Sequence, residues 1–255
     1  MATKIVDYLS ASQIGTFLTC PLAYKYMYVD GIKKSDASVY LLYGKALHSA
    51  LAVNFGQKIE SKKDLDVDSV FGEFEKEFKK GLAKGVDNPY GTSTDSMLAI
   101  AENVLGDYLK FKAPTIQPKL VEYEFKVKLK KYPVILYGFI DLITEDDQII
   151  DFKTVGKSTK GNWTQDVVNN NLQLTTYAVA FRKTFDRQEK CLRIDLIPRE
   201  VNPMFKTIET TRSQEQVVSL LELANKIEQI ITLGVFFPNL TQCVGCSFRD
   251  TCKKR

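Results

Sequence analysis

Long apolar runs are missing from this chain: none approaches the roughly 18 residues that a membrane-spanning helix needs. Met1 to Ser12 holds no continuous apolar stretch of signal-peptide type. A cytoplasmic protein is therefore expected, or one in the host cytoplasm if the chain is phage-encoded. With no export signal, the five cysteines do not read as a disulfide framework, because cytosolic thiols stay reduced. Internal repeats, low-complexity tracts and Pro/Gly/Ser linkers are missing too. One domain over residues 1–255 is the simplest organisation. Histidine and tryptophan each occur once, so any imidazole chemistry falls to a single residue.

What is present is ordinary for a soluble protein able to bury a core, with 44% hydrophobic and 26% charged residues. The net charge of +4 fits a polyanionic partner, although many proteins that never meet nucleic acid are equally basic.

Ser12 is placed to cap a short helix, Gln13 to Thr19, with Pro21 following Cys20. A second helix is expected over Val39 to Phe55. Amphipathic stripes predict two more, Val67 to Leu82 and Met97 to Phe111. Asn88-Pro89-Tyr90-Gly91 is a turn between them. The segment from about 54 to 112 carries no assignable motif and reads as a helical insertion. The texture then changes. Val121 to Leu129 alternates apolar and charged residues, as a half-buried strand does. Val134 to Ile143 and Ile149 to Thr154 follow as two more strands around a turn at Glu145 to Gln148. A helix over roughly Asn170 to Arg182 and a strand from Cys191 to Ile197 come next, with one further strand allowed. A long helix opened by a Ser213/Gln216 capping box ends near Gly234. This order implies an α/β protein with a mixed central sheet flanked by helices.

The most informative segment is Gly138-Phe139-Ile140-Asp141, followed after nine residues by Asp151-Phe152-Lys153. A carboxylate inside an apolar strand is expensive to bury unless its charge is compensated. A hairpin brings Asp141 and Asp151 near each other, where they repel unless a proton or cation lies between them. Hard oxygen donors suit Mg²⁺ or Mn²⁺. Asp151 and Lys153, two apart, project from one strand face. Either aspartate alone reads better as a solvated strand end; the pair with the lysine reads as a site. His48 on its own reads as a bystander or a satisfied core residue. Gln173 and Tyr177, one helical turn apart, read on their own as a solvated amide and a core ring.

Taken in order, Gly44-x3-His48, Gly138-x2-Asp141, Asp151-x-Lys153 and Gln173-x3-Tyr177 resemble the RecB-type branch of the PD-(D/E)XK nuclease superfamily. That branch includes nuclease domains of bacterial helicase–nucleases, CRISPR-associated adaptation exonucleases and phage recombination exonucleases. The resemblance runs from about Ser10 onward and departs from the pattern at Ile140, where the namesake proline would stand. It implies a restriction-endonuclease-like sheet, with His48, Asp141 and Asp151 as ligands of Mg²⁺ or Mn²⁺. Lys153 would orient or activate the attacking water, and Gln173 and Tyr177 would hold the metal's surroundings or the DNA backbone. Glu122 is a weaker candidate acid, since its strand face reads equally well as solvated. The activity implied is a metal-dependent DNA exonuclease favouring single-stranded ends, in recombination, repair, or phage or CRISPR DNA processing, with a recombination or helicase protein as a possible partner. The alternative is a non-catalytic iron–sulfur DNA-binding accessory subunit. Intact Asp141, Asp151 and Lys153 argue against it, because a binding module has no use for a hydrolytic metal site.

Cys243-x2-Cys246-x5-Cys252 lies far along the chain from Cys20. Three clustered thiols plus one supply the four thiolates of a 4Fe-4S cluster; zinc in the same ligands is the alternative, although structural zinc more often uses two separated pairs. The same nuclease branch has an iron–sulfur subgroup with an early Cys-Pro and a late cysteine triplet, and that resemblance favours the cluster. Such a centre would staple two distant segments together. Cys191 reads as a plain strand residue. Gly156-Lys157-Ser158-Thr159 looks like the end of a phosphate loop, but Asp151 stands where the first glycine belongs, so nucleotide binding is rejected there. Lys157, Lys160 and Trp163 read either as a single-strand channel or as a solvated loop with one packed tryptophan.

Overall fold

The computed structural model describes residues 6–32, 38–88, 91–128 and 132–253. Alternation in the second half of the chain becomes five strands: β1 (Pro118–Lys128), β2 (Ile135–Thr144), β3 (Gln148–Val155), β4 (Cys191–Pro198) and β5 (Lys206–Thr210). They form one sheet in the order β1-β2-β3-β4-β5, in which only β3 and β4 run parallel. A parallel step cannot be made by a hairpin, and helices fill the crossover between those two strands. The helices are α1 (Ala11–Thr19), α2 (Pro21–Tyr24), α3 (Val39–Ser61), α4 (Val67–Leu82), α5 (Thr94–Phe111), α6 (Gln165–Asn169), α7 (Leu172–Phe185), α8 (Gln214–Thr232) and α9 (Arg249–Lys253). No helix among the described residues is long and apolar enough to cross a membrane.

The sheet separates two cores, as period-two side-chain alternation requires. Leu142 and Ile150, paired in register, pack under α3, α4 and α5 with Phe55, Phe74 and Phe78. The neighbouring pair Ile143 and Ile149 faces the other way, into the core built with α1, α7 and α8. Fully burying a single such aliphatic side chain is worth about 1.5–3 kcal/mol.

Several boundaries differ from the sequence expectation. α1 begins at Ala11, not Gln13, and Ser10, not Ser12, caps it, its Oγ accepting from the Gln13 amide at 3.2 Å. The extended backbone persists that far because Leu9 bridges to β2, exchanging hydrogen bonds with Ile135 and Tyr137. α3 continues past Phe55 for 23 residues in all, so the insertion boundary expected near 54 falls inside an unbroken helix. The polar residues that interrupt its apolar pattern are satisfied internally. Asn54 donates to Asp64 at 2.8 Å, and Lys58 reaches Asp64 at 2.7 Å and the Ala113 carbonyl at 2.8 Å. α7 starts at Leu172 with Asn171 as its cap, and runs to Phe185. The Ser213/Gln216 capping box closes reciprocally, at 3.2 and 2.9 Å. Pro89, Tyr90 and Leu129 lie outside the described residues; the Gly91 amide donates to the Asn88 carbonyl at 3.0 Å.

Arg212, only 2% exposed, locks the α6–α7 corner to β5. Its guanidinium donates to the hydroxyls of Thr175 and Thr210 and to the carbonyls of Thr211, Val168 and Asn171.

Candidate active site

β1 and β2 are antiparallel, and their register sets Glu122 across from Asp141, between the pairs Val121–Leu142 and Tyr123–Ile140. Glu122 has φ +48, a left-handed conformation in the middle of a strand. For a non-glycine residue that is strained by about 1–3 kcal/mol, and such strain persists where surrounding structure imposes it. From α3, His48 reaches the same place, with Nδ1 3.5 Å from Asp141 Oδ2. One ligand atom from each of His48, Glu122 and Asp141 lies within 4.8 Å of the others. Gly44, one turn before His48, faces Thr154 on β3, where an added Cβ would make ordinary contact at 3.7 Å.

β3 supplies the other half. The Phe152 amide donates to Asp141 Oδ2 at 2.8 Å, tying the two strands through the carboxylate itself. Asp151, 1% exposed, has Lys153 Nζ 2.8 Å from its Oδ2 as an ion pair, yet that oxygen has no hydrogen bond. Lys153 donates to Gln173 Oε1 at 2.8 Å, Gln173 Nε2 donates to the Tyr177 hydroxyl at 2.6 Å, and that hydroxyl approaches Asp151 Oδ1 at 3.5 Å. Asp151, Lys153, Gln173 and Tyr177 thus close a ring between β3 and α7. The amide earns its place by having both an acceptor and a donor.

The Gly138 of the sequence motif has a packing role. A Cβ there would meet the Phe125 ring at 2.9 Å. Phe125 lies over the glycine from the paired strand and stands edge-on to Tyr177, with ring centroids 6.2 Å apart. The glycine therefore sets Phe125, which in turn supports Tyr177.

Burial first, and the charge of Asp151 second, hold the Asp141 carboxyl well above the ordinary carboxylate range. The Glu122 carboxyl, crowded on its protein side although the residue is exposed overall, is pushed up by burial. Burial lowers the His48 pKa, favouring a neutral imidazole with a lone pair to offer. Burial raises the Tyr177 hydroxyl, which stays protonated and able to donate. Two converging carboxyls, one of which resists ionisation, and a neutral imidazole together fit a divalent cation. Sequence reasoning underweighted Glu122, because nothing in composition or spacing reports a positive φ.

Cys20, Cys243, Cys246 and Cys252 line one cavity of about 760 Å³. The two segments touch directly. The Asn239 amide lies 3.3 Å from Cys20 Sγ across 219 residues of sequence, and the Leu22 amide donates to the Phe237 carbonyl at 3.1 Å. Phe248 packs on Tyr26 with centroids 5.7 Å apart. Among the described residues, the groups whose ligand atoms converge closely enough to hold a single metal ion do not include these cysteines. Cys191 stands apart at the start of β4, its thiol pushed up to about 11 by burial. Of the loop candidates, Lys157 lines the cavity that holds His48 and Lys153, whereas Trp163 packs on the core.

A family model described as the PD-(D/E)XK nuclease superfamily matches residues 8–253. Among solved structures, a protein of Eubacterium rectale described as a candidate exonuclease aligns over 91% of this chain and 84% of its own, at a TM-score of 0.58 and 14% identity. A likeness at that identity speaks to the fold alone. SSO0001 aligns over 92% of this chain and 93% of its own, with 12% identity and a TM-score of 0.35, too distant to argue from. No curated protein matches the chain.

Proposed function

The chain belongs to the PD-(D/E)XK nuclease superfamily, and from that premise we propose that it is a divalent-metal-dependent deoxyribonuclease acting as an exonuclease on single-stranded DNA ends. Recombination, repair, and phage or CRISPR DNA processing are the settings in which such an enzyme serves. The observation that carries the reading is the convergence of His48, Glu122 and Asp141 beside the Asp151–Lys153–Gln173–Tyr177 ring. His48, Glu122 and Asp141 would hold Mg²⁺ or Mn²⁺, with Asp151 Oδ2 adjoining. A divalent cation supplies Lewis-acid activation of water and neutralises phosphate charge. The protein does the rest. Lys153 sets its ammonium against the charge that develops on the phosphate oxygens during in-line attack. Gln173 and Tyr177 fix that ammonium, so little reorganisation remains for the moment of reaction.

The test is digestion of end-labelled single- and double-stranded oligonucleotides with Mg²⁺ or Mn²⁺. Stepwise shortening, faster on single strands, is expected. Internal cuts alone would refute the exonuclease mode, and no cleavage with either ion would refute the nuclease.

We also propose that Cys20, Cys243, Cys246 and Cys252 ligate a 4Fe-4S cluster, with zinc as the alternative. Support comes from four thiols from two remote segments around one cavity. Tetrahedral zinc would draw sulfurs to within about 3.8 Å of one another, whereas the cysteine sulfurs of a cubane stand about 6–7 Å apart. Anaerobically purified protein is expected to be brown, with about four iron and four sulfide per chain. A colourless zinc protein from iron-replete cells would favour the tetrahedral alternative.

A further inference from the structure

Arg199 follows β4, with its amide donating to the Val155 carbonyl at the end of β3 at 2.8 Å. It is half-buried, and its guanidinium sits 4.1 Å over the Tyr40 ring and 5.7 Å from that of Tyr43. The Tyr40 hydroxyl is 2.9 Å from Thr92 Oγ1, which steadies the ring. A Cβ on Gly156 would stand 3.1 Å from Arg199 Nη2, so the guanidinium lies against bare backbone there. Other sheltered arginines have oxygen partners: Arg182 pairs with Glu189 at 2.6 Å, Arg193 with Asp195 at 2.8 Å, and Arg212 is surrounded by hydroxyls and carbonyls. Among the described residues, Arg199 has no carboxylate within 4.0 Å and no hydrogen-bond acceptor. A guanidinium has five donors and does not deprotonate in proteins. Sheltering one on aromatic faces, with no acceptor, leaves its fork open to an anion.

The cavity it faces, about 1250 Å³, is the one that His48, Glu122 and Lys153 enter, and Lys157 lies on its rim. An anion reaching Arg199 therefore shares a groove with the candidate metal site.

We infer that Arg199, seated on Tyr40 and flanked by Lys157, forms a phosphate subsite that grips a non-scissile phosphodiester of the strand being cut. This rests on the nuclease reading above. Arg199 is then a positioning residue. It fixes the register of the strand on the metal site without touching the reacting phosphate. The stretch Gly156 to Thr159, rejected as a nucleotide loop, becomes the rim of this subsite.

The test is binding of a fluorescein-labelled single-stranded oligonucleotide in EDTA, followed by anisotropy across a salt series. Arg199→Gln is expected to weaken binding about 10-fold at low salt and to make the log–log salt slope shallower by about 0.7, the value for one single-strand phosphate. Lys157→Gln, at an exposed position that carries no folding risk, is expected to flatten the slope likewise. Oligonucleotides with one neutral methylphosphonate linkage locate the contact: one position should weaken wild-type binding yet leave the Arg199→Gln affinity unaltered. Wild-type slopes in both variants, or undiminished sensitivity of Arg199→Gln to every methylphosphonate, would overturn the subsite. Wild-type cleavage with Mn²⁺ is read in parallel. Flattened slopes without cleavage overturn the nuclease reading and uphold the subsite, whereas cleavage with unaltered slopes does the reverse.

Discussion

Asp141→Asn is expected to cut DNA cleavage by about 10³-fold or more while leaving the metal-free protein at least as stable as wild type. The first half follows from position. Asp141 is the carboxylate shared by the His48–Glu122 group, the Phe152 amide and the field of Asp151. Changes to residues that merely orient a ligand commonly cost 10–100-fold, and loss of a ligand costs more. The second half follows from burial. The wild-type side chain is a nearly buried acid beside another acid, an arrangement that costs stability until a cation arrives. Asparagine keeps an oxygen for the Phe152 amide and removes the repulsion. Saturating Mn²⁺ should therefore raise the melting temperature of wild type and not of the variant; at 100 times Kd the linkage is about 2.7 kcal/mol. Activity assays and melting curves with and without Mn²⁺ decide it. Near-normal cleavage by the variant would sink the metal site, and a collapsed melting temperature would mean that Asp141 is structural.

Arg212→Leu is expected to destabilise the fold by about 3–5 kcal/mol, since several buried acceptors lose their donor at about 1–3 kcal/mol for each one left unsatisfied. The guanidinium satisfies the carbonyls of Val168, Asn171 and Thr211 in a place that water does not reach. Leucine, three heavy atoms smaller, leaves those acceptors bare and a void where the guanidinium stood. In a chain of this size the change corresponds to roughly 6–20 °C in melting temperature. Arg212→Lys keeps the charge without the planar fork, and should recover only part of the loss. Urea unfolding of the three proteins provides the measurement, and a loss below about 1 kcal/mol for leucine would show that the corner is held by packing instead.

The hairpin was legible because two signals coincide there: near-continuous apolar runs on either side of a polar turn, and a carboxylate set inside each run. Which core each residue of these runs enters was not legible: Leu142 and Ile143 are equally apolar, and only the strand register sends them to opposite layers. Helix starts were less legible. Ser10 and Ser12 are equally good caps in isolation, and the choice was made by Leu9 bridging to a strand more than 120 residues away. Glu122 escaped full weight because its backbone strain is a tertiary imposition. Arg199 and Arg212 escaped altogether. One lacks oxygen partners and the other is surrounded by them, and a sequence records neither condition. The four cysteines were legible as a set, while the spacing of their sulfurs was not.

The contact between the α1–α2 segment and residues 219 positions later has a consequence for how the chain is made. Leu22 and Tyr26 leave the ribosome long before Phe248, which packs with them, has been synthesised. At 5–20 residues per second the wait is roughly 10–45 s, ample time for exposed apolar side chains to meet other chains. Any product released short of Phe248 keeps that face uncovered.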